Sequence, residues 1–348
     1  MQFNRVLAVE TSCDDTSVAI VRHDGWVEKE FSQNQDQEHK PFGGIVPEVA
    51  SRNHSLNLLP KIESVFRTTG LTIDGIDGLV VTSRPGLVGS LLVGVVTVKT
   101  LALSWNKPFI GVNHLEGHLL APFLRDEHYA PPDDFSYPYI GLAISGGHTH
   151  LYRVEGLGQY HVLGKTRDDA AGEAFDKFAK VLGLGFPGGV QIDRHAQSGN
   201  VKAYHFPRSM IKDESFDFSF SGLKASGQRM IEGWSAEDRR ENLSDLCASY
   251  QQAIVDVLIT KLNRAVEETG LDRAILTGGV SANSKLRADA EIWAQQKGVQ
   301  LVVPPIRYCT DNAAMIGYAG IQRLNMGEQS NQSLGPSPRV APHDFIEG

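Results

Sequence analysis

The chain has 348 residues, 41% of them apolar and 35 of them glycine, a balance that suits two globular α/β domains and excludes a disordered or fibrous chain. A formal net charge of −8 repels polyanions, so contact with nucleic acid requires a local basic patch or an associated protein. Three scattered cysteines, Cys13, Cys247 and Cys309, form no CxxC pair; they argue against a disulfide framework or a thiolate zinc cluster and fit a reducing cytosol.

In chain order, residues 5–21, RVLAVETSCDDTSVAIV, read as strand, polar turn, strand. The apolar run at their start is too short for a secretory leader, and no later run approaches a membrane span, so the expected location is cytoplasmic. Residues 78–83, GLVVTS, read as a strand, and residues 84–105 as a glycine-bearing turn leading into a long apolar helix. Residues 113–122, NHLEGHLLAP, read as a short helix that Pro122 limits. The proline- and acid-rich stretch 129–138 is a seam, after which residues 139–154, YIGLAISGGHTHLYRV, repeat the opening hairpin. Two such hairpins, one in each half, point to an internal duplication. Helical spacing then marks residues 171–184 and 243–269, residues 273–283 read as a strand breaking into a glycine turn, and the proline-rich tail as irregular.

His114 and His118 stand at i and i+4, so both imidazoles leave one helix face and can share a cation. In the H-E-x-x-H peptidase pattern the glutamate directly follows the first histidine; here Leu115 holds that place and Glu116 is rotated away, which disfavours a peptidase. Asn113 with Glu116 matches a capping box instead. A metal needs a further ligand, and Asp311, at an expected strand-to-helix junction, offers a carboxylate. Two histidines and one carboxylate suit Fe(II), Zn(II) or a similar ion, whereas an isolated H-x3-H pair is as often ordinary surface or core.

Three small-residue turns, SGGHT (145–149), FPGG (186–189) and TGGVSAN (277–283), would let backbone N–H groups converge on an anion, and together they favour a nucleotide-type ligand. Neither a P-loop nor a Rossmann fingerprint is present. Asp176, Asp193 and Asn283 lie near these turns and could bind ribose or base, but for each alone the plainer reading, helix-surface solvation for the aspartates and an N-cap for Asn283, is favoured.

The motifs HLEGHLLAP, ISGGHTHL, DDAAGEAFDKFAKVLGLGFPGG, FSFSGLK, TGGVSAN and CTDNAAMIGYAG, in this order, resemble the bacterial TsaD family of tRNA N6-adenosine threonylcarbamoyltransferases, once described as O-sialoglycoprotein endopeptidases. The resemblance implies an α/β fold of duplicated actin-like (ASKHA, ribonuclease H-like) domains with an interdomain cleft. The expected lobes are residues 1–112, completed by 325–348, and residues 113–324, carrying the metal and nucleotide motifs. It implies His114, His118 and Asp311 as ligands of one divalent metal per subunit, Fe(2+) with Zn(2+) or Mg(2+) as alternatives. Substrate contacts are implied at Ala143, Ile144, Ser145, Gly146, Gly147, Asp176, Gly189, Asp193 and Asn283. The implied reaction moves threonylcarbamoyl from threonylcarbamoyl-AMP to N6 of adenine 37 in the anticodon loop of tRNAs reading ANN codons. TsaB and the ATPase TsaE are the implied protein partners, with no membrane. Asp14, Asp15 and His148 are the candidates for the base. Two positions depart from the family pattern: Arg84 stands where glycine is usual before PGL, which puts that turn's backbone in doubt, and Val190 where proline is frequent. The rivals are an ATP-dependent small-molecule kinase of the same fold, a metallopeptidase and a non-catalytic scaffold.

Overall fold

The computed structural model describes residues 2–341 and 344–347. Its chain divides into two compact units, Met1–Asp134 with Pro304–Phe345 and Phe135–Val303 with Ile346–Gly348. Elements are numbered in chain order.

The first unit holds β1 (Arg5–Glu10), β2 (Thr16–Arg22), β3 (Val27–Gln33), β4 (Gly78–Arg84) and β5 (Phe109–Asn113), in sheet order β3-β2-β1-β4-β5. β1 runs antiparallel to β2, and parallel pairing joins β1 to β4 and β4 to β5. Both faces of this sheet are covered, which is why its strands read as continuous apolar runs. Leu7, Val9, Ile20 and Val81 face one core, and Val6, Ala8, Val21 and Val80, alternating with them, face another. The helices are α1 (Asp36–His39), α2 (Pro47–Thr69), α3 (Val88–Trp105), α4 (His114–Leu120), α11 (Ile306–Cys309) and α12 (Ala313–Asn325). α12 packs on β1, β2 and β4, and also on α4.

The second unit repeats the plan. β6 (Tyr139–Ile144), β7 (Thr149–Gly156), β8 (Gln159–Lys165), β9 (Arg273–Thr277), β10 (Gln300–Val302) and β11 (Ile346–Glu347) stand in the order β10-β9-β6-β7-β8-β11. Apart from the added edge strand, this is again an antiparallel meander extended by two parallel strands. The helices are α5 (Ala171–Leu182), α6 (Gly188–Ala196), α7 (Ser221–Met230), α8 (Ala236–Glu241), α9 (Leu243–Thr269) and α10 (Ser284–Lys297). The expected duplication is present down to strand order.

Three expectations are corrected. The boundaries 112/113 and 324/325 move, because α12 covers β1 and β2 and packs on α4; the metal motif therefore belongs to the first unit. Asp311 follows the short helix α11 rather than a strand. Helix α3 is long and apolar enough to cross a membrane by length and composition. Its Val95, Val98 and Ala102 pack into the core against the sheet and Leu91 is also buried, which accounts for part of that apolar content.

β7 also carries a pH-sensitive residue. His150 Nδ1 lies 2.9 Å from Tyr152 Oη, and burial, assisted by the charge of Lys165, pushes its imidazole down to about 4. Unfolded, the same side chain titrates near 6.5. Below that pH the unfolded chain takes up a proton that the folded chain refuses, so stability is lost as pH falls from about 6.5 towards 4, by up to about 1.4 kcal/mol per pH unit. Urea unfolding of His150→Gln should show a shallower loss across this window than the parent. Parallel curves would contradict the assignment.

Candidate metal centre and glycine turns

β5 delivers the chain directly into α4. Asn113 is the N-cap, its Oδ1 accepting the Leu115 N–H at 2.8 Å. Helical spacing then puts His114 and His118 on one face, with ring centroids 4.6 Å apart. Gly117 lies between them against α12, where a Cβ would meet Ile316 Cδ1 at 2.9 Å, so glycine allows the two helices to approach closely. That approach brings in Asp311, just ahead of α12. Its Oδ1 is 3.2 Å from Nε2 of both His114 and His118, and those two nitrogens are 3.1 Å apart.

Both histidines are buried and Asp311 is largely so. Burial lowers the His114 imidazole, but the charges of Asp311 and Glu10 outweigh it and hold it well above the ordinary value. Burial holds His118 low, with the neighbouring His114 adding to the effect. Burial raises the Asp311 carboxyl, yet the facing imidazoles win and keep it far below the carboxylate range. The cluster thus attracts positive charge, and a divalent cation would take the place of a proton. The donor set fits such an ion. Ligand atoms about 2.1 Å from a common ion stand about 3.0 Å apart when cis in an octahedron and about 3.4 Å apart in a tetrahedron, and the observed spacings fall between.

Behind the ligands stand residues that sequence reasoning missed. Glu10, fully buried at the end of β1, places Oε2 3.1 Å from His114 Nδ1 and accepts the Thr82 hydroxyl on the same oxygen. Its Oε1 accepts the Ser12 N–H. With Nδ1–H donated to Glu10, His114 keeps its Nε2 lone pair for a metal. Nδ1 of His118 has no hydrogen-bond partner among the described residues, so the outer support rests on Glu10. Glu30 accepts the Ala313 N–H at 2.9 Å and the Ala314 N–H at 3.2 Å, fixing the start of α12 next to Asp311. The one signal in the sequence was a carboxylate ending an apolar strand. Glu116, expected in a capping box, has its carboxylate on the Arg323 guanidinium at 2.8 Å. That pairing leaves it no role as a base at the metal.

Asp14 and Asp15 are half-buried in the turn after β1. Burial raises both carboxyls, and the charge of Asp311 adds to the shift, so they lie within the field of the triad.

In the second unit the expected substrate residues sit at and just past the end of β6, in the turn after β9, and on α5 and α6. Ala143 and Ile144 are buried strand residues, while Gly146 and Gly147 form an exposed turn. Gly278, at φ +86°, lies so close to Ile144 that a Cβ would meet its carbonyl oxygen at 2.4 Å; only glycine brings these two turns together. The Gly172 N–H reaches the Ser145 carbonyl at 3.3 Å, tying the start of α5 to the same turn. Asp176 Oδ1 accepts the Gly188 N–H at 2.7 Å, which shapes the turn that carries Gly189. Asp193 accepts the Ser284 hydroxyl at 2.7 Å. Asn283 caps α10 through the Leu286 N–H and donates to Gln251 at 2.8 Å. Asp176, Asp193 and Asn283 thus already spend hydrogen bonds on the architecture of these turns and helix starts. His148 belongs to this unit, and its N–H reaches Ser145 Oγ at 3.1 Å. Val190 is exposed on α6, where a side chain other than proline meets no obstacle.

Comparison with known proteins adds identity to this geometry. The structure is similar to that of full-length HypF in the phosphate- and nucleotide-bound form, with TM-score 0.60 at 12% identity over 93% of this chain and 55% of that one. It is also similar to the activator of the 2-hydroxyisocaproyl-CoA dehydratase from Clostridium difficile with bound ADPNP, with TM-score 0.52 at 13% identity over 93% and 96% of the two chains. At such identities the likeness shows the fold alone. Residues 27–318 match the sequence profile of the tRNA N6-adenosine threonylcarbamoyltransferases. The member from Bdellovibrio bacteriovorus is 62% identical over 98% of this chain and 99% of its own. Similarity of that extent reaches well past a shared architecture: the chain belongs to the tRNA N6-adenosine threonylcarbamoyltransferase family.

Proposed function

We propose that this chain transfers the threonylcarbamoyl group from threonylcarbamoyl-AMP to N6 of adenine 37 in tRNAs that read ANN codons. The single observation that carries the reading is the convergence of His114, His118 and Asp311 to mutual distances near 3.1 Å in a chain of this family. A kinase of the same fold has no use for such a triad.

The donor is an activated acyl phosphate with AMP as a good leaving group, so the protein must hold it, polarise it and align the amine. Gly146, Gly147 and Gly189 would present backbone N–H groups to adenosine and phosphate, while Ser145, whose N–H is spent on the His148 carbonyl at 2.7 Å, shapes the turn with Ala143 and Ile144. Asp176, Asp193 and Asn283 would keep these turns in shape and offer their remaining acceptors to hydroxyl groups. The N6 lone pair attacks the carbamoyl carbon, the bond to the AMP oxygen breaks, and one N6 proton leaves to a base. Asp14 and Asp15 suit that task because burial and Asp311 raise their carboxyls towards the working pH; His148 is the alternative. His114, His118 and Asp311 would hold one divalent ion, Fe(2+), Zn(2+) or Mg(2+), which supplies Lewis acidity towards developing oxyanion charge.

The partners follow from charge and surface. A net charge of −8 leaves tRNA binding to an assembled surface, and TsaB is the proposed contributor, with TsaE as the associated ATPase. The outer face of α3 exposes Val88, Leu92, Val96 and Leu103, with Leu103 74% exposed, an apolar stripe that suits docking of a protein such as TsaB. Leu92→Glu should abolish association in size-exclusion chromatography while leaving the fold unchanged. The site of action is proposed to be the cytoplasm.

The test is to incubate the chain with labelled threonylcarbamoyl-AMP, tRNA and TsaB, with and without chelator, and to digest for the modified nucleoside. Metal-dependent transfer is expected. Product formation unaffected by chelation would remove the ion's role, and ATP-dependent phosphorylation of a small molecule would favour the kinase.

A further inference from the structure

Arg84 and Asn113 are register partners at the carboxyl ends of β4 and β5. Both side chains reach one residue 231 positions beyond Asn113, the buried Asp344. Arg84 grips it with two nitrogens, Nε donating to Oδ2 at 2.7 Å and Nη2 donating to Oδ1. Asn113 Nδ2 donates to Oδ2 at 2.9 Å, and the Ala341 N–H donates to the same oxygen at 2.8 Å. The segment leading to Asp344 is fixed along β5, the end of β4 and α3: Ser330 N–H to Phe109 O and Ser337 N–H to Ser83 O, both at 2.9 Å, and Lys99 Nζ to Leu334 O at 2.8 Å.

We infer that Asp344, held by Arg84, is a positioning residue for the helix that presents His114 and His118. The physical reason lies in the Asn113 amide. It caps α4 only when its oxygen faces the Leu115 N–H, and a flip would point an NH2 group at that donor. Asp344 is acceptor-only, so it requires the NH2 end and thereby selects the capping orientation. The first turn of α4, which contains His114, inherits that order. Arg84 supplies the opposite charge to this buried carboxylate. This inference rests on the reading of His114, His118 and Asp311 as a metal site.

The experiment measures Zn2+ affinity of the full chain by competition with a chromophoric chelator, and docking of residues 330–341 by hydrogen exchange. Asp344→Ala should release the tail and weaken Zn2+ binding about 3- to 30-fold. The double exchange Arg84→Asp/Asp344→Arg restores opposite charges and should redock the tail. A guanidinium at position 344 offers Asn113 no acceptor, so Zn2+ binding should stay weak. Recovery of both docking and affinity in the exchange would overturn the inference, leaving Asp344 as a tail anchor only; unchanged affinity in Asp344→Ala would overturn it equally. Asn113→Ser guards against misfolding, because serine keeps a cap yet gives Asp344 no amide to orient. On that background, Asp344→Ala should cost no further Zn2+ affinity, and an undiminished additional loss would count against the inference. Failure of the parent chain to bind Zn2+, Fe2+ or Mg2+ at all would instead defeat the metal site itself.

Discussion

Asp311→Ala should leave a folded protein that no longer retains a divalent metal and whose threonylcarbamoyl transfer falls by about three orders of magnitude. Asp311 supplies the one anionic ligand; without it two neutral imidazoles 3.1 Å apart are left to hold a dication. Losing Lewis-acid stabilisation of several kcal/mol corresponds to about a thousandfold in rate at about 1.4 kcal/mol per decade. The fold should persist because Glu30 and Asn312 independently fix the start of α12, the latter through the Met315 N–H at 2.8 Å, and Glu10 still faces His114. Metal content by mass spectrometry of the purified variant, single-turnover transfer and circular dichroism together check this. A variant that keeps stoichiometric metal would show that the ion is held elsewhere.

The second large effect belongs to a residue that never touches the metal. Glu10→Gln should weaken metal binding about 10- to 100-fold, the usual consequence of losing the carboxylate behind a ligating histidine. Glutamine is not an innocent replacement. Both Glu10 oxygens receive protons, Oε1 from the Ser12 amide and Oε2 from the Thr82 hydroxyl and His114 Nδ1. An amide must turn its NH2 towards one of these donors, and a buried donor left unpaired costs about 1–3 kcal/mol. His114 then loses the partner that fixes its tautomer. Isothermal titration with Zn2+ measures the affinity, and the imidazole nitrogen shifts in NMR report which ring nitrogen carries the proton. Parent-like affinity together with a parent-like tautomer would contradict this role.

The two effects differ in how far the sequence disclosed them. The i, i+4 spacing of His114 and His118 is a property of any helix, so the pair could be read before the fold was known. The paired hairpins were equally legible, because strand alternation and small-residue turns are local. Asp311 could be offered only as a candidate from its expected junction, and the resemblance then singled it out, since one aspartate among 41 acidic residues carries little mark of its own. The domain boundaries differ for a related reason: which unit claims α4 and α12 depends on packing between distant segments.

The carboxylates draw the line most sharply. By itself the sequence determined that a helix would carry two histidines on one face, that Glu116 would be turned away from them, and that small-residue turns would end two related strands. Only the tertiary structure decided that Asp311 meets the two histidines, that Glu10 stands behind His114, that Glu116 pairs with Arg323 and that Asp344 holds Asn113. A carboxylate is chemically the same group at all four positions. Its role is set by which donors reach it through space, and those donors lie 104 residues from Glu10, 193 from Asp311 and 231 from Asp344 along the chain.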